Sequence, residues 1–182
     1  MISEGTGDAN GVRISDYAGL VQVSYATGGK NSFALSSASL GPGWHHYATT
    51  FDGASGEAHL FLDGQLVDTV QTGVASISSN DQLSVAGELQ CQSCGGCQSD
   101  QAWFNGTVDW IRVSDAVLYT ADFVPSLETS IDSSTVVLWD LGNTTQTVSD
   151  QAGTDQNGNI SGGNTLLELS LIHISEPTRQ SK

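Results

Sequence analysis

The stretch that decides the fold is EAHLFLDGQLV, residues 57–67. Its first half alternates, so that Ala58, Leu60 and Leu62 fall on one face of a predicted β-strand. The dipeptide Asp63–Gly64 then separates this run from a second one. Both central residues of a two-residue type I′ turn need positive φ, which Asp tolerates and Gly prefers. The pattern therefore predicts a β-hairpin that turns at Asp63–Gly64.

Short β-type runs recur on both sides of this hairpin, and Gly, Asp and Asn residues separate them. No stretch alternates strands with long helical patterns, and a short turn of helix is expected only at 115–123. About nine short strands with turn signals between them predict an all-β antiparallel sandwich or barrel. The remaining strand candidates are 19–25, 32–35, 44–51, 82–86, 107–113 and 135–141.

The composition restricts the classes of partner. Among 182 residues, 5 Lys and Arg stand against 20 Asp and Glu, a formal net charge of −15. Basic side chains supply the affinity for nucleic-acid phosphates and for anionic lipid, so neither partner is expected. No apolar run reaches the length of a membrane span, so we expect no membrane insertion. No signal peptide is visible in the sequence.

The C-terminal stretch LSLIHISEPTR, residues 169–179, is similar to the in-frame translation of a sequencing-library adapter. Segments of that origin are excluded from fold reasoning. We therefore predict one domain over residues 1–168 and a non-native tail over residues 169–182. We also expect the domain to be truncated at one or both ends, as a module of a longer protein.

Three motifs occur in a recognisable order: GWHHYATTFDG at 43–53, the hairpin stretch LFLDGQLV at 60–67 and FNGTVDWIRV at 104–113. Together they resemble the laminin-G-like domains of the concanavalin A-like lectin/glucanase superfamily. The resemblance implies a jelly roll of two antiparallel sheets, with ligands on the concave sheet or the rim loops. It also implies an extracellular or cell-surface setting. The residues expected in the core are Leu60, Leu62, Val108, Ile111, Val113 and Trp139.

An aromatic residue marks the candidate ligand site. Trp110 stands where members of this family usually carry a polar residue, and an aromatic face can cover the apolar face of a sugar. Alternate strand residues share a face, so Arg112 should lie beside it. We therefore predict Trp110, Arg112 and Trp103 as ligand-binding residues. The alternative interpretation is that Trp110 packs against a neighbouring loop or a partner domain.

Catalysis is not predicted. Related glucanases place paired carboxylates at alternate positions of one strand, about 5–5.5 Å apart in a retaining enzyme. Here Gln90 stands two residues after Glu88, and Ile111 stands two residues after Asp109. The adjacent His45 and His46 should face opposite sides of a strand, which favours a structural role over a shared site.

The three cysteines follow a C-x-x-C-x-x-C spacing at Cys91, Cys94 and Cys97. A closed zinc site needs four ligands, and an iron–sulfur cluster of this spacing needs a fourth cysteine. In an exported protein, one local disulfide plus one further thiol is the favoured interpretation. All three cysteines are therefore disulfide candidates.

Calcium is the one cofactor expected. The resemblance implies a structural Ca²⁺ in many members of the family, and hard cations prefer carboxylate and carbonyl oxygens. Asp109 and Asn105 are the predicted ligands. The alternative is that Asp109 accepts hydrogen bonds from backbone amides at a bend. The stretch 150–158 resembles a turn of the same family and lacks the bidentate Glu of an EF-hand loop.

We therefore predict a non-catalytic extracellular module that recognises carbohydrate or a glycoconjugate on the outside of a bacterial cell. The alternative is a structural or adhesive spacer that contacts other protein domains and binds no sugar. The expected partners are a glycan or glycoprotein, or neighbouring domains of the same chain.

Overall fold

The computed structural model describes part of the chain, as strands and the segments that connect them. Outside the described part lie five residues of the predicted sites and the predicted non-native tail: Trp103, Asn105, Cys91, Cys94, Cys97 and residues 169–182. The described residues are 2–4, 11–17, 20–27, 31–39, 41–72, 83–85, 108–126, 130–141, 147–154 and 158–159.

Every regular element of the described residues is a β-strand, as the turn-separated runs predicted. The strands are β1 Ile2–Glu4, β2 Gly11–Tyr17, β3 Leu20–Thr27, β4 Asn31–Ser39, β5 Tyr47–Asp52, β6 Glu57–Leu62, β7 Gln65–Gln71, β8 Leu83–Val85, β9 Trp110–Ser114, β10 Thr135–Asp140, β11 Thr147–Val148 and β12 Gly158–Asn159.

The strands form four sheets within the described residues. The largest has the order β4-β3-β2-β1-β8, and a second has the order β5-β6-β7. The pairs β9–β10 and β11–β12 complete the set. The pairs within the largest sheet and the two-stranded pairs are antiparallel. The predicted all-β antiparallel fold class is confirmed.

The chain divides into two compact units. The first unit comprises Met1–Gly41, Thr49–Leu60 and Leu66–Asn105, and contains the largest sheet. The second unit comprises Pro42–Ala48, Phe61–Gln65 and Gly106–Lys182, and contains the β9–β10 pair. A single domain over residues 1–168 stays a prediction.

Four of the six predicted core residues are buried: Leu60, Val108, Ile111 and Trp139. Leu62 and Val113 are partly buried, less completely than the other four. Alternation alone had assigned one buried face to β6, whereas its C-terminal end is covered on both faces. Phe61 is as fully buried as Leu60 there.

Phe61 is buried because aromatic rings cover it. Its ring centroid lies 6.1 Å from that of Tyr119 and 5.5 Å from that of Phe123, both in edge-to-face arrangement. Tyr119 and Phe123 stack on each other with an interplanar angle of 5°. Edge-to-face pairs are a favourable geometry of aromatic side chains and add to the energy of burial.

The predicted turn of helix at 115–123 was wrong. The described segment consists of bends and irregular backbone. The amide of Phe123 donates to the carbonyl of Gly64 at 2.8 Å, and that of Asp115 donates to Ser134 at 3.0 Å. Amides that bond to distant carbonyls cannot form the i→i−4 ladder of a helix. Tertiary hydrogen bonds therefore override the local tendency to form a helix.

The predicted hairpin turn is confirmed. Asp63 has φ 50° and Gly64 has φ 79°, the pair of positive values that a type I′ turn requires. A Cβ atom on Gly64 would collide with the Phe123 carbonyl and lie 2.7 Å from Cδ of Pro125. This turn therefore needs glycine for its backbone conformation and for its packing.

Candidate functional site

The histidine pair of the 43–53 motif attaches the segment before β5 to the hairpin turn. His45 Nδ1 lies 2.9 Å from Asp63 Oδ2. The His46 amide donates to Asp63 Oδ1 at 2.8 Å, and the Asp63 amide donates to the His46 carbonyl at 2.8 Å. One turn residue thus holds both histidines of the motif.

The two histidines have different surroundings, as their adjacency predicted. The His45 side chain is partly exposed, whereas His46 is only 3% exposed. The His46 ring centroid lies 6.0 Å from that of Trp110 and 5.5 Å from that of Phe123. This arrangement is that of a packed histidine and supports a structural role for the pair.

The predicted sugar platform needs Trp110 and Arg112 to be exposed together, and the structure does not present them so. Trp110 is half-buried against His46, and its indole nitrogen is buried. The Arg112 side chain is 15% exposed and donates from Nη2 to Asp132 Oδ2 at 2.7 Å. These positions favour the packing interpretation of Trp110. Ligand binding at either residue stays a prediction.

Asp132 joins Arg112 of β9 to the turn before β10. Its Oδ1 accepts from the Ser134 hydroxyl at 2.6 Å and from the Ser134 amide at 2.9 Å. The Ser134 hydroxyl and then the Arg112 guanidinium hold the pKa of Asp132 well below its usual range. The ion pair therefore connects two elements of the second unit.

The predicted calcium ligand Asp109 lies half-buried just before β9. Its backbone carbonyl accepts from the Leu141 amide at 2.7 Å, which extends the pairing of β9 and β10 by one residue. Among the described residues, no group of three or more His, Cys, Asp and Glu side chains is placed to hold a metal ion. Calcium binding by Asp109 and Asn105 stays a prediction.

The turn that begins at Asp150 is closed by that carboxylate. Oδ1 accepts from the amides of Leu138 and Ala152, at 3.1 and 2.9 Å. Oδ2 accepts from the amide and the hydroxyl of Thr154, at 2.9 and 2.7 Å. Burial opposes ionisation, but the Thr154 hydroxyl and the three amides outweigh it and lower the pKa of Asp150 to about 2. Asp150 thus ties this turn to β10.

The depressed pKa of Asp150 predicts a loss of stability in acid. A carboxyl that ionises more readily in the folded state stabilises the fold above its unfolded pKa of about 3.9. That contribution is lost as the pH falls toward about 2. We expect Asp150→Asn to flatten the decline of unfolding free energy between these limits, as measured by urea denaturation at several pH values. Asp115→Asn, at an exposed site, is the matched control. Equal slopes for both variants would contradict this role.

A row of polar side chains crosses the sheet β5-β6-β7, and sequence reasoning had missed it. Thr50 Oγ1 lies 3.3 Å from His59 Nδ1, and His59 Nε2 lies 3.9 Å from Glu57 Oε2. Gln71 Nε2 donates to Glu57 Oε1 at 2.8 Å. These four residues, Thr50, His59, Glu57 and Gln71, are called the polar row below. Alternation does place Glu57 and His59 on one face, but their partners on β5 and β7 depend on strand register.

Every regular element of the described residues is a β-strand. Among the motif residues, His45 bonds to Asp63 of the hairpin turn, and Arg112 bonds to Asp132 before β10. No helix in the described part is long and apolar enough to cross a membrane. The chain belongs to the concanavalin A-like lectin/glucanase superfamily, because a laminin G family model matches residues 2–122. This confirms the resemblance seen in the sequence motifs. Comparison with curated proteins and with solved structures found no match.

Family membership defines the protein as a lectin-like or binding module. Laminin G-like domains are generally non-catalytic, bind other proteins or glycans, and are typically extracellular.

Proposed function

We propose that this chain is a non-catalytic, extracellular recognition module that binds carbohydrate or a glycoconjugate. Membership of a family of lectin-like binding modules is the observation that carries the proposal. The contacts of the motif side chains support the non-catalytic part of the proposal, since the histidines and the arginine of these motifs bond to other groups of the protein. A catalytic site would need such groups directed at a substrate.

The charge of the chain supports a partner that is neither nucleic acid nor anionic lipid. With a formal net charge of −15, the protein repels polyanions over the range of the Debye length. Glycans and glycoproteins recognised through hydroxyl groups impose no such penalty.

A second candidate function is a structural or adhesive spacer that contacts neighbouring protein domains. The partial burial of Trp110 and the Arg112–Asp132 ion pair favour this spacer, because these two of the three predicted ligand-binding residues make contacts within the protein. The spacer needs no glycan site.

A glycan array separates the two candidates. We expect the full chain to bind a subset of glycans, with calcium added at about 1 mM to fill any weak extracellular-type site. A parallel array with a chelator tests the proposed Ca²⁺, because loss of signal would show that the ion supports binding. Absence of signal on both arrays would exclude glycan recognition and leave the spacer.

A further inference from the structure

We propose that an exposed apolar surface of the second unit binds a basic polypeptide segment, in which positively charged side chains alternate with apolar ones. The surface comprises Val117, Leu118, Val124 and Ile131, which all belong to that unit, and is called the apolar surface below. This inference goes beyond the proposed glycan recognition, because it assigns the module a protein partner and does not depend on the outcome of the glycan array.

The side chains of the apolar surface are open to solvent. Val124 is 91% exposed and Ile131 is 51% exposed, while Val117 and Leu118 are each 38% exposed. Single exposed apolar residues are common on protein surfaces, whereas several that lie close together mark an interaction site. The proposal therefore depends on the contacts that bring the two segments of this surface together.

The first of these contacts is at the end of the β9–β10 pair. The last register pair of the two strands is Ser114 with Thr135, and the Asp115 amide then donates to the Ser134 carbonyl at 3.0 Å. The chain thus leaves β9 beside the residues that lead into β10. This places the segments that carry Val117 and Ile131 at the same end of the strand pair.

The second contact folds the segment 118–124 back on itself. The rings of Tyr119 and Phe123 stack with their centroids 3.6 Å apart. Leu118 directly precedes the first stacked residue, and Val124 directly follows the second. The stack therefore brings the two ends of this segment together and adds Val124 to the same surface.

The exposure of Val124 is fixed by its two neighbours in the chain. The Phe123 amide donates to the Gly64 carbonyl at 2.8 Å, and Pro125 packs so closely on Gly64 that an added Cβ atom would lie 2.7 Å from its Cδ. Both neighbours are thus held against the hairpin turn, while the valine between them faces solvent. An apolar side chain held in place before binding loses little entropy when a partner covers it.

Charge selects the partner that covers this surface. Between Arg112 and His173 the sequence contains eight Asp and Glu residues and no Lys, Arg or His. Asp115 is exposed at the start of the first segment, and Arg112 is paired with Asp132. A second copy of the chain carries the same net charge of −15, so the two copies repel each other.

A basic segment satisfies both properties of the surface. Lys and Arg side chains can lay their aliphatic stems on apolar groups while their charged ends reach carboxylates and water. The four side chains of the surface are aliphatic, so they offer a sugar no ring face for stacking. Since the surface is small, we expect weak binding, with a dissociation constant on the order of 0.1 mM.

An NMR titration of the full chain with three synthetic decapeptides tests the proposal. One peptide alternates lysine and leucine, the second alternates lysine and serine, and the third alternates glutamate and leucine. We expect the lysine–leucine peptide to shift amide signals around residues 117, 118, 124 and 131. The second peptide lacks the apolar side chains and the third lacks the positive charge, so both should bind at least fivefold more weakly, as an order-of-magnitude estimate.

Surface variants locate the site. Val124→Ser should weaken binding of the lysine–leucine peptide about fivefold, because the most exposed side chain of the surface loses its apolar contact. Asp115→Asn should weaken it about twofold, the size of one exposed ion pair. Val67→Ser, at a 38% exposed valine of the first unit, is the matched control and should have no effect. The dispersion of the amide spectra shows in the same experiment that each variant is folded.

Four results would overturn the proposal. Equal binding of the lysine–serine peptide would show that charge alone is recognised, and equal binding of the glutamate–leucine peptide would show that charge does not select the partner. Shifts at other residues only, or no shift with any peptide at about 1 mM, would exclude this surface as a docking site. Shifts of the same signals with protein concentration alone would assign the surface to a second copy of the chain.

Discussion

Replacement of Gly64 by alanine is expected to destabilise the fold by about 3 kcal/mol or more. Two costs combine. A left-handed conformation costs a non-glycine residue roughly 1–2 kcal/mol, and forcing an extra methyl group into a packed site costs about 1–3 kcal/mol. The new Cβ would meet the Phe123 carbonyl and Pro125, and backbone cannot move aside as a flexible side chain can. Urea denaturation of the wild type and the variant measures the loss.

Gly153→Ala is the matched control for this substitution. Gly153 has φ 78°, almost the same as Gly64, but a Cβ atom there would meet no atom of the described part of the chain within 4 Å. Gly153→Ala should therefore destabilise the fold only by the roughly 1–2 kcal/mol that a left-handed conformation costs a non-glycine residue. Equal losses at the two positions would show that the contact between the hairpin turn and residues 123–125 is unimportant.

Truncation of Phe61 to alanine should cost about 3–5 kcal/mol, the range for large aromatic residues in a protein core. Phe61 is fully buried, and its removal would leave the stacked rings of Tyr119 and Phe123 without their edge-to-face partner. Phe61→Leu should recover much of the loss, because it fills most of the cavity.

Leu66→Ala provides the comparison for Phe61, since Leu66 on the adjoining strand β7 is 37% exposed. Leu66→Ala should lower the free energy of unfolding by much less than Phe61→Ala, because a half-exposed side chain buries less apolar surface on folding. A loss below about 1 kcal/mol for Phe61→Ala would contradict the position of this ring in the core.

Local signals in the sequence predicted the hairpin because they specify the backbone directly. Asp63–Gly64 permits positive φ at two successive positions, and few other dipeptides do so. The burial of Leu60 and Ile111 followed from alternation. Alternation could not predict the equal burial of Phe61, because the rings that cover it come from residues 119 and 123, far along the chain.

Tertiary partners explain the remaining differences. The strand position of Arg112 predicted that its side chain contacts a ligand, but its partner Asp132 lies 20 residues further along the chain and no local pattern indicates it. The bends at 115–123 depend on the Gly64 carbonyl, which no local pattern reveals. The polar row combines side chains of three strands, so it could be found only once the register of those strands was known.

The most direct test of recognition without catalysis is equilibrium dialysis of the full chain against a neutral glycan that binds on the array, followed by product analysis. If the protein binds the glycan without cleaving it, the chamber with protein will hold more glycan than the other chamber. Chromatography will then recover that glycan at its original length. Shortened products that accumulate with time would contradict a non-catalytic role. Equal glycan concentrations in the two chambers, for every glycan tried, would contradict recognition itself.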